Sequence, residues 1–247
     1  MSALFEVEGL SRRFGGILAV DSVSFSLAEG EILGIIGPNG SGKSTLFNCI
    51  LGQLRPTAGR VRFAGRDVTG MRPSALARLG IGRTFQLLQI FPGLEVRANL
   101  LAAGQEHRGS MVGRLFGPPD AGLAEEVERM LAFFRLAHLA REPAGSLSYG
   151  QQKLLDIAMA FMAGPRLVFL DEPAGGVNPG MLAELGERLR LLNRERGASF
   201  VLIEHNMEFV MDLCSRVLVM AEGRIIAEGA PEAVRADPEV IEAYLGG

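Results

Sequence analysis

Gly37-Pro38-Asn39-Gly40-Ser41-Gly42-Lys43-Ser44-Thr45 fits the pattern G-x-x-x-x-G-K-[ST], and what flanks it decides the fold. Ile32-Leu33-Gly34-Ile35-Ile36 before it is a short apolar run that predicts a buried strand, and Leu46-Phe47-Asn48-Cys49-Ile50-Leu51 after it predicts a helix. Glycines let a backbone fold around an anion so that several N–H groups point inward, and the following helix N-terminus adds partial positive charge. In such a loop Lys43 reaches the β- and γ-phosphates of a nucleotide and the Ser44 hydroxyl ligates Mg²⁺. The stretch predicts an α/β protein that binds a nucleoside triphosphate.

The composition allows this and excludes rivals. A chain of 247 residues can bury a full α/β core, as one domain or as one domain with an insertion. No run approaches the roughly 18 apolar residues that a membrane-spanning helix needs. The first residues, Met1-Ser2-Ala3-Leu4-Phe5-Glu6, lack a basic region followed by an apolar one, so no signal peptide is expected. A net charge of −3 gives no electrostatic reason to expect nucleic acid as a partner. Cys49 and Cys214 are too far apart in the sequence to suggest a zinc site or a disulfide framework, so they read as reduced thiols in a cytoplasmic protein.

Outward from the loop, residues 4–9 and 20–27 read as strands, the second alternating Val23, Phe25 and Leu27 with serines. Arg13-Phe14-Gly15-Gly16 reads as the loop between them, where Phe14 packs under the sheet or stacks on a base. Residues 60–63 predict an antiparallel strand, 73–79 a short helix and 81–85 a strand that delivers Gln86. The character then changes: an apolar loop over 87–92, helices over 95–103 and 121–135, and between them a Gly- and Pro-rich stretch with Leu115-Phe116. That stretch is a surface loop or a partner contact. This middle third reads as a helical insertion, after which the core resumes with a helix at 151–163 and a strand over 166–170. A helix at 179–195, a strand at 199–203, a hairpin at 216–228 and two short helices at 231–245 complete the chain.

Asp171-Glu172 ends an apolar strand, which puts two carboxylates at the carboxyl edge where open α/β sheets bind ligands. Beside a phosphate loop the first acid holds Mg²⁺ and the second polarises an attacking water; taken alone, the pair also suits a solvated helix start. Leu147-Ser148-Tyr149-Gly150-Gln151 precedes a helix, and Ser148 by itself reads as its cap. Together these stretches resemble the ATP-binding-cassette ATPases: a phosphate loop, a Leu-Ser-x-Gly-Gln signature with Tyr149 where Gly is commonest, then a strand ending Asp-Glu-Pro. On that resemblance Phe14 takes the adenine-stacking position, usually Tyr, and Gln86 matches the Q-loop glutamine. Glu172 matches the catalytic carboxylate and His205 the switch histidine. Gly175-Gly176-Val177-Asn178 stands where the family usually has Ser-Ala-Leu-Asp.

Within the family, Gly82-Arg83-Thr84-Phe85-Gln86 followed by Ile90-Phe91-Pro92, Leu94-Glu95-Val96 and Asn99-Leu100 is similar to the LivG-type ATPases of branched-chain amino acid importers. Tyr149, Ile203-Glu204-His205-Asn206-Met207 and the tail from Gly229 to Gly246 point the same way. Urea importers and some lipopolysaccharide-export ATPases share parts of this pattern, so another system of the family is the alternative, with a soluble non-transport cassette behind it.

The resemblance implies one domain over 1–247. Residues 1–86 and 164–247 would form a phosphate-loop NTPase core with a mixed parallel sheet and an antiparallel β subdomain, and 87–163 a helical subdomain. It implies ATP and Mg²⁺ as ligands, bound between two head-to-tail ATPase subunits, copies of one another or different. Gly37, Pro38, Asn39, Gly40, Ser41, Gly42, Lys43, Ser44, Thr45 and Phe14 of one subunit would bind the nucleotide opposite Ser148, Gly150 and Gln151 of the other. Ser44, Gln86 and Asp171 would hold the metal; Glu172, His205, Lys43 and Gln86 would carry the chemistry. Implied partners are two transmembrane permease subunits and, through them, a solute-binding protein, which puts the chain peripherally on the inner face of the plasma membrane. The loop over 87–94 is where the family docks a short helix of the membrane subunit, although its Leu87, Leu88, Ile90 and Phe91 also suit a core.

Overall fold

The computed structural model describes residues 3–84, 88–105 and 121–245. The chain opens with β1 (Phe5–Phe14), β2 (Ile17–Leu27), β3 (Ile32–Ile36), α1 (Lys43–Ile50), β4 (Ala58–Phe63), β5 (Arg66–Asp67), α2 (Pro73–Arg78) and β6 (Ile81–Arg83). Among the described residues, three α-helices follow: α3 (Val96–Gln105), α4 (Ala121–Phe133) and α5 (Tyr149–Phe161). Then come β7 (Leu167–Asp171), α6 (Pro179–Arg196), β8 (Ser199–Ile203), α7 (Met207–Leu213), β9 (Arg216–Ala221), β10 (Arg224–Gly229), α8 (Pro231–Arg235) and α9 (Pro238–Leu245).

One sheet is antiparallel, in the order β2-β1-β4-β5. The other runs β10-β9-β3-β8-β7-β6, parallel throughout except for β10 at one edge. β3, β7 and β8 are buried along their whole length because both faces of this sheet are covered, which is why each reads as an uninterrupted apolar run. Successive side chains on a strand point to opposite faces, so each strand feeds two cores. Val168, Leu170, Phe200, Leu202, Val217 and Val219 join α3–α6 on one side. Leu167, Phe169, Val201, Ile203, Leu218 and Met220 join α1 and the antiparallel sheet on the other, where Phe169 meets the edges of Phe5 and Phe47. The helices of the middle third therefore have no separate core; they share one with a face of the sheet.

Two expectations need correction. Arg13-Phe14 belongs to a strand rather than a loop, since β1 and β2 run on as one hairpin that turns only at Gly15-Gly16. Three register shifts between β1 and β2 break the period-2 pattern after Val7, which hides the strand in the sequence. The second is α7, which has no counterpart among the predicted elements. Phe85, Gln86 and Leu87, and with them the predicted end of β6, lie outside the described residues, as does the stretch holding Leu115-Phe116.

Candidate functional site

The strand order makes the site. β8 lies between β3 and β7, so the segments leaving their carboxyl ends are neighbours: the phosphate loop after β3, Asp171-Glu172 at the end of β7, and His205 after β8.

The phosphate loop closes on Lys43. Its ammonium is buried and donates to the carbonyl oxygens of Gly37 (2.8 Å) and Pro38 (2.9 Å) and to Ser41 Oγ (3.3 Å). Desolvation there lowers the Lys43 pKa, and the negative charge of Glu172 acts against that shift. Gly42 caps α1 in the left-handed region (φ 100°), and a Cβ on it would lie 2.3 Å from the carbonyl oxygen of Ala19 on β2, so the loop is pressed against the hairpin that carries Phe14. Leu18 and Asp21 of β2, residues 38–41 of the loop and Glu239 and Glu242 of α9 line a cavity of about 900 Å³. Phe14 is 43% exposed at the hairpin end, with the Arg12 guanidinium 4.5 Å over its ring. It is therefore not packed in the core.

Glu172 and His205 meet: His205 Nε2 lies 2.9 Å from Glu172 Oε1, a hydrogen bond when the ring carries its proton on that nitrogen. Glu172 holds a left-handed backbone (φ 49°), a strained conformation for a non-glycine residue, directly after β7. Beneath the pair is a carboxylate to which the sequence reading assigned no role. Glu204 is buried and accepts the N–H groups of Ala174, His205 and Asn206, tying the segment after β7 to the one after β8. Asn206 then caps α7 by accepting from Phe209 N–H. An acid between an apolar strand and the histidine was the available signal.

Asp171 is buried, and its Oδ2 accepts from Arg83 Nη2 at 3.0 Å, while Arg83 Nη1 donates to Asn48 on α1. The Asp171 carboxylate and the Ser44 hydroxyl, in the first turn of α1, are hard oxygen donors of the kind Mg²⁺ takes, and Asp171 is paired with Arg83 here. Among the described residues, no cluster of three or more His, Cys, Asp or Glu forms an all-protein metal cage. Gln86, the third expected ligand, lies outside the described residues.

Ser148, Gly150 and Gln151 form a second locus at the start of α5. Ser148 Oγ accepts from Gln151 N–H (3.4 Å) and Gln151 Oε1 from Ser148 N–H (3.0 Å), a complete capping box. A Cβ on Gly150 would lie 2.5 Å from Met181 Cγ, so the first turn of α5 sits tightly on the first turn of α6. Asn178, in the place of an aspartate, caps α6 through Met181 N–H at 3.0 Å, a task Asn and Asp perform equally well.

Comparison with known proteins fits this geometry. A family model described as "ABC transporter" matches residues 20–175, and one described as "Branched-chain amino acid ATP-binding cassette transporter" matches residues 224–247. The chain is 39% identical to the high-affinity branched-chain amino acid transport ATP-binding protein BraF of Pseudomonas aeruginosa, over 98% of each chain. It is 38% identical to LivG, named for the same role in Escherichia coli, again over 98% of each. A solved ATP-binding cassette of an ABC transporter in its ADP conformation superposes with a TM-score of 0.90 at 37% identity, covering 100% of both chains.

Proposed function

The chain belongs to the ABC transporter family of ATP-binding cassettes, and from that membership we propose that it is the ATP-hydrolysing subunit of an importer for branched-chain amino acids. The carrying observation is full-length likeness to proteins named for that transport, in a chain whose phosphate loop and Glu172–His205 pair are both built.

In this reading the loop N–H groups and Lys43 bind the nucleotide phosphates, and Phe14 stacks on the adenine. Mg²⁺, held by Ser44, Asp171 and Gln86, would when bound neutralise charge on the β- and γ-oxygens. Glu172 polarises the water that attacks the γ-phosphorus while His205, in contact with that carboxylate, orients it and faces the departing phosphoryl group. The products are ADP and phosphate. Ser148, Gly150 and Gln151 serve the nucleotide of a second ATPase subunit, to which a capped helix N-terminus offers N–H groups and positive dipole. ATP held between subunits drives a cycle only through its different affinity for the closed and open pair.

No helix among the described residues is long and apolar enough to cross a membrane, so solute passage rests on permease subunits. Their docking surface in this reading is the residue 88–94 segment, which exposes Phe91 (52%) and Leu94 (45%), together with a cleft of about 580 Å³ lined by α2, β6, Ala103 of α3 and Met159 and Ala160 of α5. The division into a core (1–86 and 164–247) and a helical part (87–163) belongs to the same reading, as does a peripheral place on the inner membrane face.

Two measurements test it. Glu172→Gln should keep ATP binding, lose at least about a hundredfold in turnover, and accumulate a pair of subunits on ATP addition in sedimentation. Undiminished turnover would remove Glu172 from its role. The tagged chain, extracted gently from its native membrane, should bring two permease subunits and a second short ATPase; an exporter-type membrane pair would reverse the transport direction.

A further inference from the structure

The start of α5 and the segment following β7 are joined by three contacts that the nucleotide chemistry does not use. The Tyr149 ring rests on Gly176: a methyl group built there would lie 2.9 Å from Tyr149 Cε1, inside carbon–carbon contact distance, and 3.5 Å from Cδ1. Gly176 also takes φ 72°, which a side chain would resist. One turn along α5, the buried Lys153 ammonium donates to the carbonyl oxygen of Glu172 at 3.4 Å and lies 5.8 Å from the Tyr149 ring centre. Desolvation lowers the Lys153 pKa, and the surrounding carboxylates Asp156, Glu204, Asp171 and Glu172 act to keep the ammonium charged. Gly150 against Met181 closes the third side.

A bulky ring at 149 and a missing side chain at 176 thus complement each other. Both positions depart from the commoner residues of the resembled pattern, Gly and Ala, and the contact makes the two departures one. We propose that Tyr149, Gly176 and Lys153 form a clasp that fixes the first turn of α5 to the segment carrying Glu172, so that closure on one nucleotide repositions the residues serving the other. The clasp rests on the paired-subunit reading above. Tyr149 is then a positioning residue, acting by holding Gly176 and the strained Glu172 backbone in register with Ser148 and Gln151. A rigid connection of this kind suits cooperativity because a shift at one end must appear at the other.

The test is a double-mutant cycle with two readouts. Urea unfolding of the isolated chain comes first: Gly176→Ala should lower the midpoint, and Tyr149→Gly in the same chain should restore most of the loss, leaving only the cost of the positive φ. Equal midpoints for Gly176→Ala with and without Tyr149→Gly would refute the clasp. The second readout is ATP dependence of turnover in the assembled transporter. Tyr149→Gly should bring the Hill coefficient close to 1 and lower kcat about tenfold, with nucleotide affinity of the isolated chain changed less than about twofold. Tyr149→Phe, which keeps the ring, should retain the Hill coefficient. If Gly176→Ala does not fold, the Tyr149 pair alone decides: an unchanged Hill coefficient in Tyr149→Gly overturns the coupling. An intact unfolding cycle, in a chain whose Glu172→Gln variant pairs on ATP neither with itself nor with a co-extracted second ATPase, overturns the paired-subunit reading and the coupling with it, while leaving the packing contact in place.

Discussion

Glu204 holds together two segments of the site without itself being expected to touch nucleotide. Its carboxylate gathers three N–H groups from two segments that are separate in sequence, and so sets where His205 emerges and where the chain turns after Glu172. Glu204→Ala would leave the buried Ala174 N–H unpartnered, which costs about 1–3 kcal/mol, and would release the part-buried N–H groups of His205 and Asn206 to water. The expected result is a loss of about 1–3 kcal/mol in urea unfolding, and in the folded fraction a kcat reduced far more than nucleotide affinity. A folded Glu204→Ala variant with normal kcat would show that His205 keeps its place without this support. The residues proposed to face phosphate or metal stand out in the sequence because that chemistry dictates type and spacing, as at Lys43, Ser44 and Asp171. Glu204, Arg83 and Lys153 were not, because their partners are backbone groups and side chains brought close only by the fold.

Among the elements, α5 carries a buried acid as well as the signature residues. Asp156 accepts from Gln89 N–H at 3.1 Å and so ties the segment downstream of Gln86 to the signature helix. Burial raises its pKa from 3.8 to about 6, with the Gln89 hydrogen bond and the Lys153 charge opposing the shift. The native chain therefore binds a proton here more tightly than the unfolded chain does, and the slope of stability against pH is negative between those two values. Rising pH should cost stability from about pH 4 to about pH 6, up to about 3 kcal/mol in all, and no further above that. Asp156→Asn keeps an acceptor for Gln89 and should abolish this component; the difference between wild type and variant in urea unfolding at pH 4.5 and 7 measures it. Element legibility followed burial. β3, β7 and β8 were plain because covered faces demand apolar runs. The outer part of the β1–β2 hairpin was hidden by its register shifts and by Arg12 and Arg13. α7 was missed although Asn206, its cap, and the apolar spacing of Met207, Val210 and Leu213 announce a helix, because seven residues carry a weak periodic signal.

For the whole molecule, the decisive fact is one that sequence order conceals: β8, far along the chain, inserts between β3 and β7. That placement turns three separate motifs into one edge of a sheet. Binding at that edge should stabilise the entire fold. ATP with Mg²⁺ at about a hundred times its dissociation constant should raise unfolding stability by about 2.7 kcal/mol, and in Glu172→Gln the midpoint should also rise with protein concentration as subunits pair. A thermal shift series over ATP and protein concentration checks both. A concentration-independent midpoint in that variant would argue against pairing of this chain with itself and favour a different partner ATPase.

The division of β7 and β8 between two cores has a consequence for how such a chain changes over generations. Positions 168, 170, 200 and 202 answer to the helical layer, and 167, 169, 201 and 203 to the layer behind the phosphate loop. A substitution in the first set therefore falls on the helical layer and one in the second on the layer behind the phosphate loop, so neighbouring positions of one five-residue strand can vary against different neighbours.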